Sequence, residues 1–476
     1  METNVGITVT KSEDISEWYS QVVQKAELAD YTSVSGCMVL RPTAYAIWES
    51  IQNRFDARIK ELGHKNAYFP LFIPEHLLKK EEEHIEGFTP EVAWVTHAGT
   101  TKLAERLAIR PTSETIMYES YAKWIRSWRD LPLLINQWCN IVRWEFKYPK
   151  PFLRTREFLW QEGHTAHATE QEAVAEAEMI MDEYVDLVEN YLAIPLIVGK
   201  KTEWDKFPGA DATIAMEAFM PDGKALQMGT SHILGQKFSN AFDITFLDKD
   251  GKKKYVWQTS WGVSTRLIGA MILMHGDDKG LIIPPKVAPL QVAIVPIIFE
   301  KQKDMIIKEA KKVEKTLEKD FSVFLDLRDY NAGWKFHDHE LKGVPIRIEI
   351  GPRDIEKKQV VVVRRDTSEK MTVQIASLSK HVQKNLEDMQ ENLFQKAKQL
   401  LETSIVEAKS MAELNKAITQ KKLAKCGFCG TKQAEDSIQD KTKGATARCI
   451  IDEKPEGNCV HCSKPATMMV FFGKAY

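Results

Sequence analysis

No run of apolar residues approaches the roughly twenty needed for one helical crossing of a bilayer, so a membrane-spanning helix is not expected. The opening residues, METNVGITVTKSED, have no apolar core of the kind a secretory signal uses. A dominant charge sign is missing too. The net charge is −2, so no global basic field favours nucleic acid; contact with RNA has to use local patches, and DNA is not an expected partner. Cysteine is scarce, with seven in 476 residues, and five of these follow Lys425. That count excludes a disulfide scaffold and suits a reducing compartment with a metal site. A cytoplasmic protein is the expectation. What is present is ordinary for a globular chain: 43% hydrophobic and 28% charged residues. The length fits two to four domains.

Residues 140–167, NIVRWEFKYPKPFLRTREFLWQEGHTAH, organise the rest. Both ends read as strand, 141–146 and 156–160, while Pro149 and Pro151 force a turn or loop between them. The pattern predicts an antiparallel hairpin with a long basic loop. Arg143, Arg154 and Arg156 lie within it, and arginine in a strand is costly unless it faces an anion. Planar guanidinium groups grip phosphate and carboxylate through paired hydrogen bonds. A phosphate-clamping sheet is therefore the functional reading, and a salt-bridged surface hairpin the plain alternative.

Upstream, helices are expected over 14–29, with Asp14 and Glu17 as a capping box, and over 43–62, stopped by Gly63. A strand over 67–70 ends at Pro70. Residues 81–99 read as a polar loop over the site, and 113–129 as helix. Thr169 and Glu172 form a capping box opening a helix to about 192, followed by strands over 212–219 and 225–228. Gly229-Thr230-Ser231-His232 breaks the pattern, and its glycine permits close approach of a ligand to the backbone. The run 249–254 is an exposed hairpin tip. Beyond Pro284-Pro285, strands at 291–296, 323–327, 346–350 and 359–364 alternate with helices at 302–317 and 332–341, a mixed α/β unit. Residues 378–422 read as charged helix. Near the end, Cys426-Gly427-Phe428-Cys429 and Cys459-Val460-His461-Cys462 repeat the spacing of paired zinc knuckles. A redox Cys-x-x-Cys is the rival. Cys449 is left over, and His461 is an alternative ligand. Cys37 and Cys139 read as small buried residues.

Arg143-Trp144-Glu145 resembles the Arg-x-Glu of class II synthetase motif 2. Arg266, opening an apolar helix after Trp261-Gly262, resembles the motif 3 arginine. Pro111-Thr112-Ser113-Glu114, together with Trp160-Gln161-Glu162-Gly163-His164, resembles the prolyl-tRNA synthetase family, and over nearly the whole chain the likeness is nearest its archaeal/eukaryotic form. The helix over 43–62 and the strand behind it resemble motif 1, the dimer interface, with Pro70 or Pro74 as its proline. The resemblance implies an α+β catalytic domain over 1–285, built on an antiparallel sheet with helices. An α/β anticodon-binding domain over 286–400 and a small zinc-binding α+β domain over 401–476 follow.

It also implies the chemistry. A homodimer would join L-proline to ATP, with Mg²⁺ carried mainly by the nucleotide, release pyrophosphate, and pass proline to the 3′ end of tRNA(Pro). Arg143 and Arg266 are the catalytic pair. Thr112, Glu114, Arg143, Trp160, Glu162, His164, Phe207, Ser231 and His232 would hold proline. Arg143, Glu145, Arg154, Gln227, Thr230, Ser264 and Arg266 would hold ATP. Glu340 and Arg347 would meet tRNA, and Cys426, Cys429, Cys459 and Cys462 would bind a structural Zn²⁺. The segment between Arg143 and Arg266 leaves no room for an inserted editing domain.

Overall fold

A computed structural model describes residues 6–84, 91–145 and 148–476, with backbone alone for 80–84. Part of the strand expected over 141–146, and residues 85–90 of the expected loop, lie outside that range. Asp14 caps the first helix, Ile15–Lys25, accepting from the N–H groups of Ser16 and Glu17. No box closes, because the Glu17 carboxylate accepts from Gln21 instead. The second helix, Pro42–Glu61, starts on proline and buries Ala44, Ile47, Trp48, Ile51, Phe55 and Ile59. Gly63, at φ +96°, follows it.

Two local expectations are corrected here. The strand over 67–70 is only Lys65–Asn66, running parallel to Ile135 and Asn136. Pro70 lacks the N–H to continue a ladder, and the next strand, Phe72–Pro74, joins a different sheet with Thr101–Ile109 and Trp94–Ala98. The expected loop over 81–99 accordingly ends in a hairpin whose turn holds Gly99 at φ +60°.

Among the described residues the central sheet has eleven strands. From one edge they run Ile405–Glu407, Leu423–Phe428, Met468–Ala475, Ala445–Ile451, Ile197–Lys200, Ala212–Phe219, Lys224–Gly235, Trp257–Ser264, Glu157–His167, Leu133–Val142 and Lys65–Asn66. The middle is antiparallel, as expected, and the hairpin around residue 150 pairs Leu133↔Ala166 through Val142↔Glu157. Thr169 and Glu172 close the capping box of helix Glu170–Asp186, which packs across the sheet. Under the sheet, Tyr184, Trp261 and Phe55 share one apolar core with the helix Arg266–His275. The strand from Lys224 runs straight through Gly229–His232, where a break was expected. The small residues pair across to Trp261–Val263, and a bulge between Met216 and Glu217 takes up the irregularity.

The terminal domain is not a separate body. Its four strands extend the same sheet, through Ile450↔Lys200 and through a parallel pairing of Lys224-Ala225 with Lys474-Ala475. A second sheet of five strands, ordered Val323–Leu325, Val292–Pro296, Ile346–Ile350, Gln359–Arg364 and Lys370–Gln374, forms the α/β unit. The last of these strands was not anticipated. Helix Leu378–Ser404 links the two bodies, so the boundary expected at 400/401 falls inside it; a short strand, Ile405–Glu407, and the helix Met411–Thr419 follow.

Candidate functional site

Strand alternation gathers the site. A cavity of about 350 Å³ is lined by Thr112, Glu114, Arg143, Trp160, Glu162, His164, Phe207, Gln227, Thr230 and His232, all anticipated. Asp205, Lys206, Pro208, Thr213 and Ser260 line it as well and were missed. Ser231 is corrected: period-2 alternation turns it to the opposite face, where its buried hydroxyl donates to the carbonyl of Ala177 in the covering helix.

Glu162 anchors the floor. Its carboxylate accepts from the N–H (3.2 Å) and the hydroxyl of Ser113, from Gln137 Nε2 at 2.9 Å and from Cys139 Sγ at 3.4 Å. His164 Nε2 lies 3.1 Å from its second oxygen, and Tyr118 OH lies 3.2 Å from His164 Nδ1. Burial pushes the Glu162 carboxyl up, but the bond and charge of His164, with the Ser113 and Gln137 donors, outweigh it and leave the carboxyl below its usual range. For His164 burial works downward, and the carboxylates of Glu114 and Glu162 overcome it, raising the imidazole. Thr112 donates to Glu114, a buried carboxylate at the start of helix Glu114–Trp124. His232 behaves oppositely to His164. Burial, reinforced by the positive fields of His164 and Arg143, drops it to about 3. It is therefore neutral at working pH and is held between Thr213 Oγ1 (2.9 Å) and Thr230 Oγ1 (3.0 Å), with its ring 4.7 Å from that of Phe207.

Arg143 sits just past the end of Leu133–Val142. Its Nε donates to the carbonyl of Pro111 at 3.0 Å, and its guanidinium lies 5.4 Å from the Trp160 ring centroid. Burial lowers its pKa, with Glu145, Glu114 and Glu162 pulling the other way. Arg266 opens its helix with Nη1 donating to the carbonyl of Gln227 at 3.1 Å and its N–H donating to Ser264 Oγ at 3.3 Å. Burial brings it to about 10. Glu145 and Arg154 are exposed and, like Ser264 and Arg266, are not part of the cavity's lining. Arg156 turns away, donating to the carbonyl of Ser35 at 3.1 Å and lying 4.5 Å over Trp144. The cavity thus holds two buried carboxylates with Arg143, and the positive fields of Arg143 and Arg154 reach Arg266.

Comparison with known proteins fits that pattern. The class II core domain of tRNA synthetases for G, H, P, S and T matches residues 95–275. An anticodon binding domain matches 291–385, and a prolyl-tRNA synthetase C-terminal domain matches 411–476. A proline–tRNA ligase of Natranaerobius thermophilus is 55% identical over 471 residues, covering 98% of this chain and 97% of the relative. The chain belongs to the prolyl-tRNA synthetase family. A proline–tRNA ligase of Ruminiclostridium cellulolyticum is 52% identical over 468 residues, 98% and 97% of the two chains. Proline–tRNA ligase 2 of Bacillus cereus is 50% identical over 472 residues, 98% of each. All three relatives are bacterial, where the sequence pointed to the archaeal/eukaryotic form.

Within this prolyl-tRNA synthetase fold, the Sγ atoms of Cys429, Cys459 and Cys462 lie within 4.8 Å of one another. Cys426 is corrected: it lies inside the strand Leu423–Phe428, and its sulfur is not one of the three that cluster. Cys449 is buried against the carbonyls of Ile197 and Ala215. The two residues expected to meet tRNA are engaged by protein. Glu340 pairs with Lys279 at 2.9 Å, at the junction with the catalytic part. Arg347 donates to Glu349 at 2.9 Å and stacks 4.5 Å over Phe336. Nearby, Tyr330 and Trp334 stack at 3.9 Å with Arg328 5.2 Å over Trp334, an aromatic platform that the sequence reading did not single out.

Proposed function

We propose that the cavity binds L-proline beside ATP, makes prolyl-adenylate, and transfers the prolyl group to the 3′ end of tRNA(Pro). The observation that carries this is Arg143 and the paired carboxylates Glu114 and Glu162 lining one cavity. Proline is a carboxylate and a secondary ammonium on an apolar ring. Arg143 faces the carboxylate, Glu114 with Thr112 takes the ammonium, and Trp160, Phe207 and neutral His232 wall the ring. The carboxylate oxygen attacks the α-phosphorus in line; a new P–O bond forms as the bond to the β-phosphate bridging oxygen breaks, and pyrophosphate leaves with the electron pair. Positioning and charge neutralisation supply the acceleration, so no protein nucleophile is required. In this reading Arg143 also meets the α-phosphate, Arg266 and Arg154 the outer phosphates, and Glu145, Gln227, Thr230 and Ser264 the adenosine side. Mg²⁺ would arrive with the nucleotide.

Three clustered thiols fit a tetrahedral zinc that needs one further ligand, and His461, although next to Cys462 in sequence, is not in that cluster. The site would be structural. Dimerisation through helix Pro42–Glu61 is in keeping with the exposed Tyr45, Tyr68 and Phe72 on and beside it. Among the described residues no inserted domain lies between Arg143 and Arg266, which together with the terminal domain supports the archaeal/eukaryotic arrangement. Proline-dependent ATP–pyrophosphate exchange, run against threonine and serine, is the test. Exchange driven by threonine or serine but not by proline would overturn the substrate.

A further inference from the structure

One half-buried side chain from the terminal strands reaches a buried carboxylate of the catalytic sheet. Arg448 lies on Ala445–Ile451, the strand through which the terminal part joins the catalytic sheet. Its guanidinium grips the Glu217 carboxylate with Nη2 at 2.8 and 2.9 Å and Nε at 3.3 Å. Glu217 is only 2% exposed. Lys201, also buried, donates to it at 2.9 Å and pairs with Asp205 on the cavity wall at 3.0 Å. Glu217 stands directly across the strand pair from Gln227, so both side chains rise from one face of the sheet. The Gln227 carbonyl is the acceptor that holds Arg266. The Glu217 carboxylate is also the strongest anionic influence on Arg266, while Arg448 acts on it in the opposite sense.

A carboxylate paired across from the residue whose carbonyl holds Arg266 is a competitor for that guanidinium. Left to Lys201 alone, which offers a point charge on a flexible stem, Glu217 gains freedom to swing towards the other guanidinium. Arg448 removes that freedom because a planar fork fixes both carboxylate oxygens at once.

We propose that Arg448 is a positioning residue for the ATP half of the reaction: by holding Glu217 in a two-oxygen fork it keeps Arg266 available to phosphate. This rests on the assignment of Arg266 to ATP made above. The catalytic sheet would then depend on the terminal domain for nucleotide affinity as well as for mechanical support.

The experiment measures KM for ATP and for proline separately, by pyrophosphate exchange, in the full-length protein. Arg448→Ala is expected to raise KM for ATP about tenfold and leave KM for proline within about twofold, a coupling in the range of contacting residues. Arg448→Lys should fall between, and adding Glu217→Gln to Arg448→Ala should return KM for ATP to near the wild-type value, because the competitor has lost its charge. A merely structural joint would raise both KM values together, lower bound zinc, and be worsened by the second substitution. Any of these, or an unchanged KM for ATP, overturns the proposal. Should Arg448→Ala fail to fold, Arg448→Lys with and without Glu217→Gln decides by the same selectivity. A wild-type enzyme that shows no proline-dependent exchange refutes the site reading instead, so the two failures are distinguishable.

Discussion

Replacing Glu162 by glutamine changes one atom in a buried network, and its cost can be worked out in advance. One oxygen of Glu162 accepts from the Ser113 hydroxyl, Gln137 and Cys139, and the other from the Ser113 N–H and His164. Whichever way the amide is placed, its NH₂ must face at least two donors. An orphaned buried donor costs about 1–3 kcal/mol, and breaking a buried charge pair about 3–5 kcal/mol. The expected loss is therefore about 3–5 kcal/mol while His164 carries its proton. The pH dependence follows from the two shifts. The Glu162 carboxyl is lowered, so its contribution is present above its unfolded pKa of 4.5 and is lost as pH falls through the folded value. The His164 imidazole is raised, so its contribution is full below its unfolded pKa of 6.5 and fades as pH climbs through the folded one. The pair thus stabilises most between those two values. Urea unfolding of wild type and Glu162→Gln at pH 5.5 and 8.5, followed by tryptophan fluorescence, should give a larger stability gap at the lower pH. A gap under about 1 kcal/mol, or one that widens at pH 8.5, would refute the reasoning.

Arg143→Ala and Arg266→Ala should each lower pyrophosphate exchange by about a hundredfold or more with circular dichroism unchanged, as removing a preorganised charge partner does; near-normal exchange in either would remove the phosphate clamp. Metal analysis should find about one zinc per chain, lost in Cys459→Ser or Cys462→Ser and kept in Cys426→Ala. Arg347→Ala and Trp334→Ala should weaken tRNA charging and spare adenylate formation, since single-stranded bases are read by stacking and side-chain hydrogen bonds; equal losses in the two assays would mark these residues as structural. Alanine should be activated measurably, because each missing methylene is worth only about 1–3 kcal/mol of discrimination. Pre-formed alanyl-tRNA should then survive incubation with the enzyme, and hydrolysis well above the spontaneous rate would reveal an editing site.

Much of the site was legible because its chemistry is local in sequence. Arg143, Glu162 and His164 lie on one hairpin, and Thr112 and Glu114 lie two residues apart. Ser231 was misplaced because a strand was taken for a break, and a strand sends neighbours to opposite faces. Cys426 misled for a similar reason: spacing counts residues, whereas the strand Leu423–Phe428 leaves its thiol outside the three-cysteine cluster. Glu217, Lys201 and Arg448 could not have been grouped, since their pairing spans 16 and 231 residues. The one hint was an acid inside the apolar run Ala212–Phe219, which burial penalises unless a partner arrives from elsewhere.

The sheet that carries Arg143 and Arg266 is completed by strands made much later. Lys224 and Ala225 pair with Lys474 and Ala475, about 250 residues further along, a separation that makes such contacts slow to form. A chain emerging from the ribosome therefore has both arginines outside well before Arg448 and the strand Met468–Ala475 can dock. During that interval Glu217 has only Lys201 to hold it, and the edge strand Ile197–Lys200 offers unpaired backbone groups to any other chain nearby. Synthesis thus imposes its own order on this enzyme. On the role proposed for Arg448, nucleotide affinity would mature last, with nascent chains on one message at their most sticky just before they become competent.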